Sequence, residues 1–236
     1  MATAHERAST PRQTGVGPKP FSWARFGAAL SVAVDLAALE SVAQRARACR
    51  LCPLAAGRTN AVPGEGDGSS GILLVGEAPG RNEDETGRPF CGSAGKNLDL
   101  GLAAAGIDRA TTFVTSIVKC RPPENRDPHP EEKAACHPYL VEQIAALRPK
   151  VIVALGRHGL SGLMPDFPKA FAQLPGSFVA GPEGIPVFVS LHPAAVIYRQ
   201  KWKTQYMAAW KAFGEWHRSG TAAVPGQVLS SPPAQE

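Results

Sequence analysis

The sequence predicts an α/β fold, a three-layer α/β/α sandwich around a central, mainly parallel four-stranded sheet. Four short apolar runs are rich in β-branched residues and are bounded by turn-forming residues, which is typical of buried strands. The segments between these runs carry apolar residues at spacings of three and four, which is typical of helices. Strands that alternate with helices form parallel sheets with helices on both faces.

The predicted elements follow one another along the middle of the chain. The strands are ILLVG (72–76), TFVTSIV (112–118), VIVALG (151–156) and PVFVSL (186–191). Two helix faces lie between them and consist of Leu98, Leu102 and Ala105, and of Leu140, Ile144 and Leu147. A last helix is predicted from about Lys201 to His217. Its aromatic stripe, which we assign to the core rather than to a binding platform, consists of Trp202, Tyr206, Trp210 and Phe213.

Length and composition fit one folded domain with disordered ends. The chain has 236 residues, of which 44% are hydrophobic and 19% are charged. We expect the domain over 25–217, a disordered N-terminal arm over 1–24 and a disordered C-terminal tail over 218–236, because both ends have the composition of disordered segments. A transit peptide stays open as an alternative for the first segment, which is rich in Arg, Ser and Thr.

Charge and hydropathy restrict the class of partner. The 25 Lys and Arg residues exceed the 20 Asp and Glu residues, and the net charge of +5 mildly indicates a polyanionic partner. No apolar stretch is long enough for a membrane span, and the first twenty residues lack the apolar core of a signal peptide. We therefore expect a monomeric protein of the bacterial cytosol with no membrane partner.

The chemically unusual residues follow the predicted strands. In open α/β sheets, ligands bind beyond the carboxyl ends of the strands. The segments at those ends are GEAPGRNEDETGRPF, KCRPPENRDP, GRHG and HPAAVIYR. We therefore expect the functional site at this edge of the sheet.

The five cysteines are candidates for metal binding, since a cytosolic protein of this size does not need disulfides. Cys49 and Cys52 form a C-x2-C pair, and fifteen residues separate Cys120 from Cys136 across a proline-rich loop. Four thiolates would hold zinc or an iron–sulfur cluster, and spacing does not choose between them. In the alternative interpretation only the C-x2-C pair is special, and the other cysteines are small buried apolar residues.

Together these motifs resemble the family 4 uracil-DNA glycosylases, the iron–sulfur branch of the uracil-DNA glycosylase superfamily. The resemblance runs from about Cys49 to about Trp210 and rests on GEAPGRNEDETGRPFCGSAG, IVKCRPPENRDPHPEE, KVIVALG and LHPAAVIYR. It implies a [4Fe–4S] cluster on the cysteines at corresponding positions, which are Cys49, Cys52, Cys120 and Cys136. Cys91 is then a free thiol on the pocket side.

The resemblance also implies the catalytic residues of an enzyme that flips out a base and breaks its bond to the sugar. Glu77 would stabilise positive charge on the sugar and orient the attacking water, with Glu83 or Asp84 as the reserve candidate. Otherwise, the carboxylates after Glu77 form a solvated, helix-capping face. His192 would donate a hydrogen bond to a carbonyl oxygen of the base, for which a neutral imidazole suffices, and it would also cap the next helix.

Four residues are expected to bind the flipped nucleotide. Phe90 would stack on the base, although an ordinary core position is the alternative. Gly76 begins a sharp turn that brings the backbone, including Ala78, close to the sugar. The fourth residue, Ser116, lies where the family reads the edge of the base.

The loop after the last strand is expected to enter the duplex and to fill the space that the base leaves. Ile197 belongs to this loop, and Lys201 and Lys203 follow it, although on composition alone they form a solvated basic stretch. The residues expected to contact DNA are Arg81, Ala194, Val196, Tyr198 and Arg199.

One departure from the family concerns the base-reading residue. The family usually carries Asn in a pattern like TNIVKC, whereas this chain reads TSIVKC with Ser116. An amide offers a donor and an acceptor and can read both O4 and N3–H of uracil, while serine offers one hydroxyl. A wrong base leaves fewer buried polar groups of such a site without a partner, so the site discriminates less sharply between bases. We therefore expect excision of uracil and also of other deaminated bases, such as hypoxanthine or xanthine.

The sequence thus predicts a monofunctional uracil-DNA glycosylase of base excision repair, which hydrolyses the N-glycosidic bond and leaves an abasic site. The alternative is a non-catalytic or covalently trapping binder of uracil or abasic DNA. Relatives that trap DNA covalently carry a basic insertion after the cysteine motif, and no such insertion follows Cys120. An iron–sulfur redox protein would leave the LHPAAVIYR and GRPF segments unexplained.

Overall fold

The computed structural model describes residues 33–165, 167, 171–196 and 200–220. Their strands are β1 (Ile72–Gly76), β2 (Phe113–Ser116), β3 (Val151–Leu155), β4 (Phe178–Ala180) and β5 (Pro186–Ser190). They form one sheet in the order β2-β1-β3-β5-β4. Every pair in it is parallel except that of β4 with β5. The mainly parallel sheet is therefore confirmed.

The expected number of four strands is wrong by one, because the sequence analysis does not identify β4. This strand has three residues and pairs antiparallel with β5 at the edge of the sheet, with Val179 opposite Val187. A run of three residues is too short to show a period of two. Gly176 and Gly181, which flank the strand, strengthen the resemblance to a loop.

Helices cover both faces of the sheet. They are α1 (Leu36–Ala48), α2 (Leu54–Gly57), α3 (Arg81–Thr86), α4 (Ser93–Ala105), α5 (Pro130–Leu147), α6 (Gly156–Leu163) and α7 (Gln200–Ser219). Short 3-10 helices lie at Arg109–Thr111, Pro123–Asn125, Phe171–Gln173 and Pro182–Gly184. α1, α5 and α6 pack with Leu73 and Val75 of β1, whereas α4 and α7 pack with Ile72 and Leu74. Because side chains alternate along a strand, the two sets lie on opposite faces, and the three-layer sandwich is confirmed.

The aromatic stripe of α7 belongs to the core, as predicted. Tyr206, Trp210 and Phe213 are buried, and Trp202 packs against the same cluster. The ring of Phe213 stacks on that of Phe188 in β5, with their centroids 4.7 Å apart. Burying an aromatic side chain of this size contributes about 1.5–3 kcal/mol. The stripe therefore fastens α7 to the sheet.

The ends of the domain lie partly outside the described residues. α7 ends at Ser219, close to the predicted boundary at 217. The predicted arm over 1–24 and most of the predicted tail over 218–236 are not among the described residues. Within the described ranges, no helix combines the length and apolar character that crossing a membrane requires.

The contact between α4 and α7 leads to a prediction about stability. A Cβ atom on Gly214 would lie 2.1 Å from the carbonyl oxygen of Ala105 and 2.5 Å from its Cα, so the two helices would have to separate. We expect Gly214→Ala to lower the free energy of unfolding by about 2 kcal/mol. This is a large overpacking cost of about 3 kcal/mol, less the roughly 1 kcal/mol that alanine gains in a helix. Urea denaturation followed by circular dichroism measures it.

Gly57→Ala is the matched control. A Cβ atom there meets nothing within 4 Å, so stability should stay the same or rise. Equal stability of the two variants would contradict the close approach of α4 and α7.

Candidate active site

A cavity of about 490 Å³ lies at the carboxyl ends of the parallel strands, as the sequence predicts. Its wall combines the segment after β1, the loop after Cys120 and the loop after β5. Most of the residues predicted to act in catalysis or to bind the nucleotide and DNA line it, namely Glu77, Ala78, Arg81, Phe90, Ser116, His192 and Ala194. A volume of this size is typical of small-ligand pockets.

Gly76, at the end of β1, makes room for the ring of Phe90. A Cβ atom on Gly76 would lie 2.6 Å from Cζ of Phe90 and 3.2 Å from Oγ of Ser116. Phe90 has a φ of 48°, a left-handed conformation that costs a residue with a side chain about 1–3 kcal/mol. The ring is only 8% exposed and packs in the core, yet it also lines the cavity. The two interpretations of Phe90 are therefore compatible.

Glu77 follows β1 and projects into the cavity as a partly desolvated carboxyl group. Its side chain is 22% exposed, and its Oε1 atom is buried with no hydrogen-bond partner among the described residues. Burial and, to a smaller extent, the negative charge of Asp127 raise the pKa of Glu77 to about 7, against the opposing effect of Lys133 and Arg157. Such a group changes its charge near neutral pH, as a general base does.

The sequence analysis assigns no role to two neighbours of Glu77. Nδ1 of His158 lies 3.5 Å from Oε1 of Glu77, and Nε2 of His158 lies 3.3 Å from Oδ2 of Asp127. One ligand atom of each of the three side chains lies within 4.8 Å of the others. The signal in the sequence is that His158 belongs to GRHG, which directly follows β3, and Asp127 belongs to KCRPPENRDP.

His192 follows β5 and is neutral at physiological pH. Burial lowers the pKa of His192 to about 4, with a smaller contribution from His158. The backbone N–H of Ala194 donates to Nδ1 of His192 over 3.2 Å, so the neutral ring carries its proton on Nε2. Its centroid lies 6.0 Å from that of Phe90. His192 thus offers a hydrogen-bond donor beside the aromatic ring of the cavity.

Ser116 ends β2 directly beside Gly76 in the parallel register of β1 and β2. Its side chain is buried, and its carbonyl oxygen accepts a hydrogen bond of 2.7 Å from Nζ of Lys119. Lys119 is fully buried and also donates to Thr115 and Gln143. Burial lowers the pKa of Lys119 to about 8. The floor of the cavity is therefore held by an internal polar network.

The carboxylates after Glu77 have structural partners. The carboxylate of Glu83 accepts hydrogen bonds from the backbone N–H groups of Gly80, Cys91 and Gly92, which supports the predicted capping role. Asp84 is buried and accepts from the N–H groups of Thr59 and Asn60, so the expectation of a solvated side chain is wrong for this residue. These interactions leave Glu77 as the carboxylate with an unpaired oxygen in the cavity.

The residues expected to contact DNA have different surroundings. Arg81 is exposed at the cavity and pairs with Glu85, and Ala194 is exposed there too. Val196 is 2% exposed and packs in the core, so it anchors the loop after β5, and the expectation that it enters the duplex is wrong. Tyr198 and Arg199, like Ile197, lie outside the described residues.

Four of the cysteines meet at a second, small cavity, and Cys91 does not. Cys49, Cys52, Cys120 and Cys136 line this cavity, whereas Cys91 is exposed and lines neither it nor the larger one. The expectation that Cys91 is a pocket-side thiol is therefore corrected.

Hydrogen-bond donors surround the cysteine sulfurs. Nη1 of Arg58 donates to Sγ of Cys120 over 2.9 Å, and the backbone N–H of Lys119 donates to Sγ of Cys136 over 3.2 Å. Burial raises the pKa of the Cys136 thiol to about 11, so a bound metal would have to displace its proton. Among the described residues, no three cysteine sulfurs lie within 4.8 Å of one another.

Comparison with known proteins gives concordant matches. The model of the uracil DNA glycosylase superfamily matches residues 63–214. The type-4 uracil-DNA glycosylase of Archaeoglobus fulgidus is 42% identical over 185 residues, which are 75% of this chain and 92% of that protein. That of Sulfurisphaera tokodaii is 44% identical over 169 residues, 68% of this chain and 76% of that protein. The type-5 uracil-DNA glycosylase of Thermus thermophilus is 36% identical over 160 residues, which are 54% of this chain and 73% of that protein.

The matched segment contains β1 to β5, the whole cavity lining except Val62, and two of the four clustered cysteines. The type-4 matches extend over two thirds or more of the chain. The chain belongs to the uracil DNA glycosylase superfamily.

Proposed function

We propose that this protein excises uracil from DNA by hydrolysing the N-glycosidic bond, and that it leaves an abasic site for base excision repair. The observation that carries the proposal is one cavity lined by a carboxyl group with a pKa near 7, by a neutral histidine donor and by an aromatic ring. The type-4 relatives are named for this activity.

The cavity suits an extrahelical base. An enzyme that acts on the bond between base and sugar takes the nucleotide out of the stack. The face of Phe90 would then stack on the pyrimidine, an interaction that tolerates small substituents. The missing side chain of Gly76 leaves room for the Phe90 ring instead, and the short side chain of Ala78 would let the backbone approach the sugar.

The two catalytic residues would meet opposite charges. Bond cleavage develops positive charge on the sugar and negative charge on the departing base. The ionised carboxylate of Glu77 stabilises the sugar and orients a water molecule for attack, while Nε2–H of His192 donates to a carbonyl oxygen of the base. Since His192 is neutral above a pH of about 4, this donor is present throughout the physiological range.

DNA would be held at the rim of the cavity. Arg81 and Ala194 are exposed there, and Tyr198 and Arg199 follow in the chain. Lys201 and Lys203 are exposed at the start of α7, where they would approach phosphates. A monomeric state and a location in the bacterial cytosol stay predictions from the sequence.

The four clustered cysteines would hold a [4Fe–4S] cluster. All four line one small cavity, and a [4Fe–4S] cluster is held by four thiolates. N–H groups directed at the sulfurs, as at Cys120 and Cys136, suit thiolate ligands of a cluster. The hydrolysis requires no electron transfer, so the cluster would act structurally and hold the loop from Cys120 to Cys136 beside the cavity.

Ser116 would broaden the range of bases. It is buried at the floor of the cavity, where a single hydroxyl replaces the amide that reads uracil in the family. Fewer buried polar groups are then left unpaired by a different base. We infer that hypoxanthine and xanthine are excised in addition to uracil.

The first prediction tests Glu77. With uracil-containing oligonucleotides and alkaline cleavage of abasic sites, kcat/KM should fall about tenfold per pH unit on the acid side of pH 7, because the carboxyl group must be ionised. Glu77→Gln should lower kcat by about 10²- to 10⁴-fold and abolish this acid limb. Glu131→Gln, on the exposed start of α5, serves as the control.

Tight binding of uracil DNA without excision would contradict the proposed hydrolysis. That result would favour the alternative of a non-catalytic binder. A covalent adduct that survives denaturation would favour the trapping alternative.

The second prediction concerns Ser116. We expect Ser116→Asn to raise the preference for uracil over hypoxanthine and xanthine by about tenfold or more, because the amide restores a paired donor and acceptor. Single-turnover excision on matched oligonucleotides measures it, and Ser69→Asn, at the opposite end of β1, is the control. An unchanged preference would mean that Ser116 does not set the base range.

The third prediction concerns the cluster. Protein purified without oxygen should absorb broadly in the visible range and contain four iron and four acid-labile sulfide per chain, as the cluster formula requires. Cys136→Ser should lose this absorbance, whereas Cys91→Ser should retain it, since Cys91 lies apart from the other four. Zinc without iron in the purified protein would refute the cluster.

A further inference from the structure

His158 bridges two carboxylates at the cavity, and none of the roles above uses it. It lies in the first turn of α6, directly beyond β3. Its Nδ1 atom is 3.5 Å from Oε1 of Glu77, and its Nε2 atom is 3.3 Å from Oδ2 of Asp127. The ring is mostly buried, so its orientation is set by its surroundings.

A neighbouring arginine favours one tautomer of this ring. Nη2 of Arg157 lies 3.1 Å from Nε2 of His158. A guanidinium group only donates, so its shorter contact favours the tautomer in which Nε2 accepts and Nδ1 carries the proton, whereas Oδ2 of Asp127, 3.3 Å from Nε2, would accept from the other tautomer. The proton on Nδ1 faces Oε1 of Glu77, the buried oxygen that lacks a hydrogen-bond partner among the described residues.

We propose that His158 is a positioning residue for Glu77, whose Nδ1–H holds the carboxylate ionised and turned so that its other oxygen faces the sugar. The proposal rests on the hydrolysis proposed above. The separation of 3.5 Å is longer than a formed hydrogen bond, and such contacts tighten when the substrate closes the site. A donor to a carboxylate favours its charged form and so opposes the effect of burial.

Some of the charged groups around Glu77 and His158 raise the pKa of Glu77, and others lower it. Asp127, before α5, raises the pKa of Glu77, and Lys133 of α5 and Arg157 of α6 lower it. Burial lowers the pKa of His158, which keeps the ring in the neutral, donating form at neutral pH. His192, after β5, is itself neutral and adds no charge there.

The same three side chains have the spacing of a cation site. Arg157 and Lys133 already supply positive charge at this position, which disfavours a bound metal ion. Hydrogen bonding by His158 therefore explains the geometry better than metal binding does.

The test compares His158→Leu with His158→Asn, whose side-chain amide nitrogen occupies the place of Nδ1. The measurement is kcat/KM for a uracil-containing oligonucleotide between pH 5.5 and 9, in about 0.5-unit steps. We expect His158→Leu to move the midpoint of the acid limb upward by about one unit and to lower the rate at pH 7 several-fold. His158→Asn should return the midpoint close to that of the unmodified protein.

Asp127→Asn is a control that should shift the midpoint of the acid limb in the opposite direction. It removes the charge that raises the pKa of Glu77, so the midpoint should move downward. Equal losses of rate at every pH in His158→Leu, with an unmoved midpoint, would reduce His158 to a structural role and overturn the proposal. A midpoint that shifts on addition of EDTA would assign the three side chains to a cation and would also overturn it.

A direct titration separates this proposal from the proposed function. Carbon-13 NMR of protein labelled at glutamate carboxyl groups reports the pKa of Glu77 without substrate, and the signal is assigned by its loss in Glu77→Gln. A higher pKa in His158→Leu supports the pairing even if uracil is not excised. An unchanged pKa of Glu77 in His158→Leu refutes the pairing even if the protein excises uracil.

Discussion

A buried ammonium group, that of Lys119, connects the end of β2, helix α5 and the cysteine cavity. Lys119 donates through Nζ to the carbonyl oxygen of Ser116, the hydroxyl of Thr115 and the amide oxygen of Gln143, and through its backbone N–H to the sulfur of Cys136. A buried cation is tolerated only when its donors are satisfied, so these acceptors are fixed relative to one another. The end of β2, the middle of α5 and the cysteine cavity thus form one unit.

Desolvation at the edge of the sheet shifts the pKa of both proposed catalytic groups, Glu77 and His192, by the same physical effect. Removing water disfavours the charged form of any group. It therefore raises the pKa of Glu77 towards neutrality and lowers that of His192 far below it. A base that is partly protonated at rest and a donor that never charges follow from one environment. Burial is the largest cause of both shifts, and the charges of Asp127, Lys133 and Arg157 adjust the pKa of Glu77 further.

Sequence reasoning reached the fold and the location of the site because both depend on strong, local signals. The runs of β1, β2, β3 and β5 are apolar and β-branched, and parallel strands bring their carboxyl ends to one edge whatever the loops do. The edge strand β4 has only three residues, so its sequence shows no alternation that would predict a strand.

The details that escaped prediction depend on tertiary contacts. The sequence contains no feature that shows whether Asp84 meets water or the N–H groups of Thr59 and Asn60. In the same way, the apolar Val196 fits a DNA-entering loop and a core position equally well, and only its packing decides. The contacts of His158 with Glu77 and Asp127 join residues far apart in the chain, and the sequence shows only that GRHG and KCRPPENRDP lie beyond strands.

Several features of the site lower the stability of the fold. The site therefore lies where rigid strands hold these features in place. The positive φ of Phe90 and the unpaired oxygen of Glu77 each cost on the order of 1–3 kcal/mol. Loops alone would relax to relieve such strain. Here β1, β2 and β5 are buried between two apolar clusters, and Gly76 lets the ring of Phe90 pack against the end of β1. The rigid sheet thus holds the proposed catalytic groups in place without a substrate, as electrostatic stabilisation of a transition state requires.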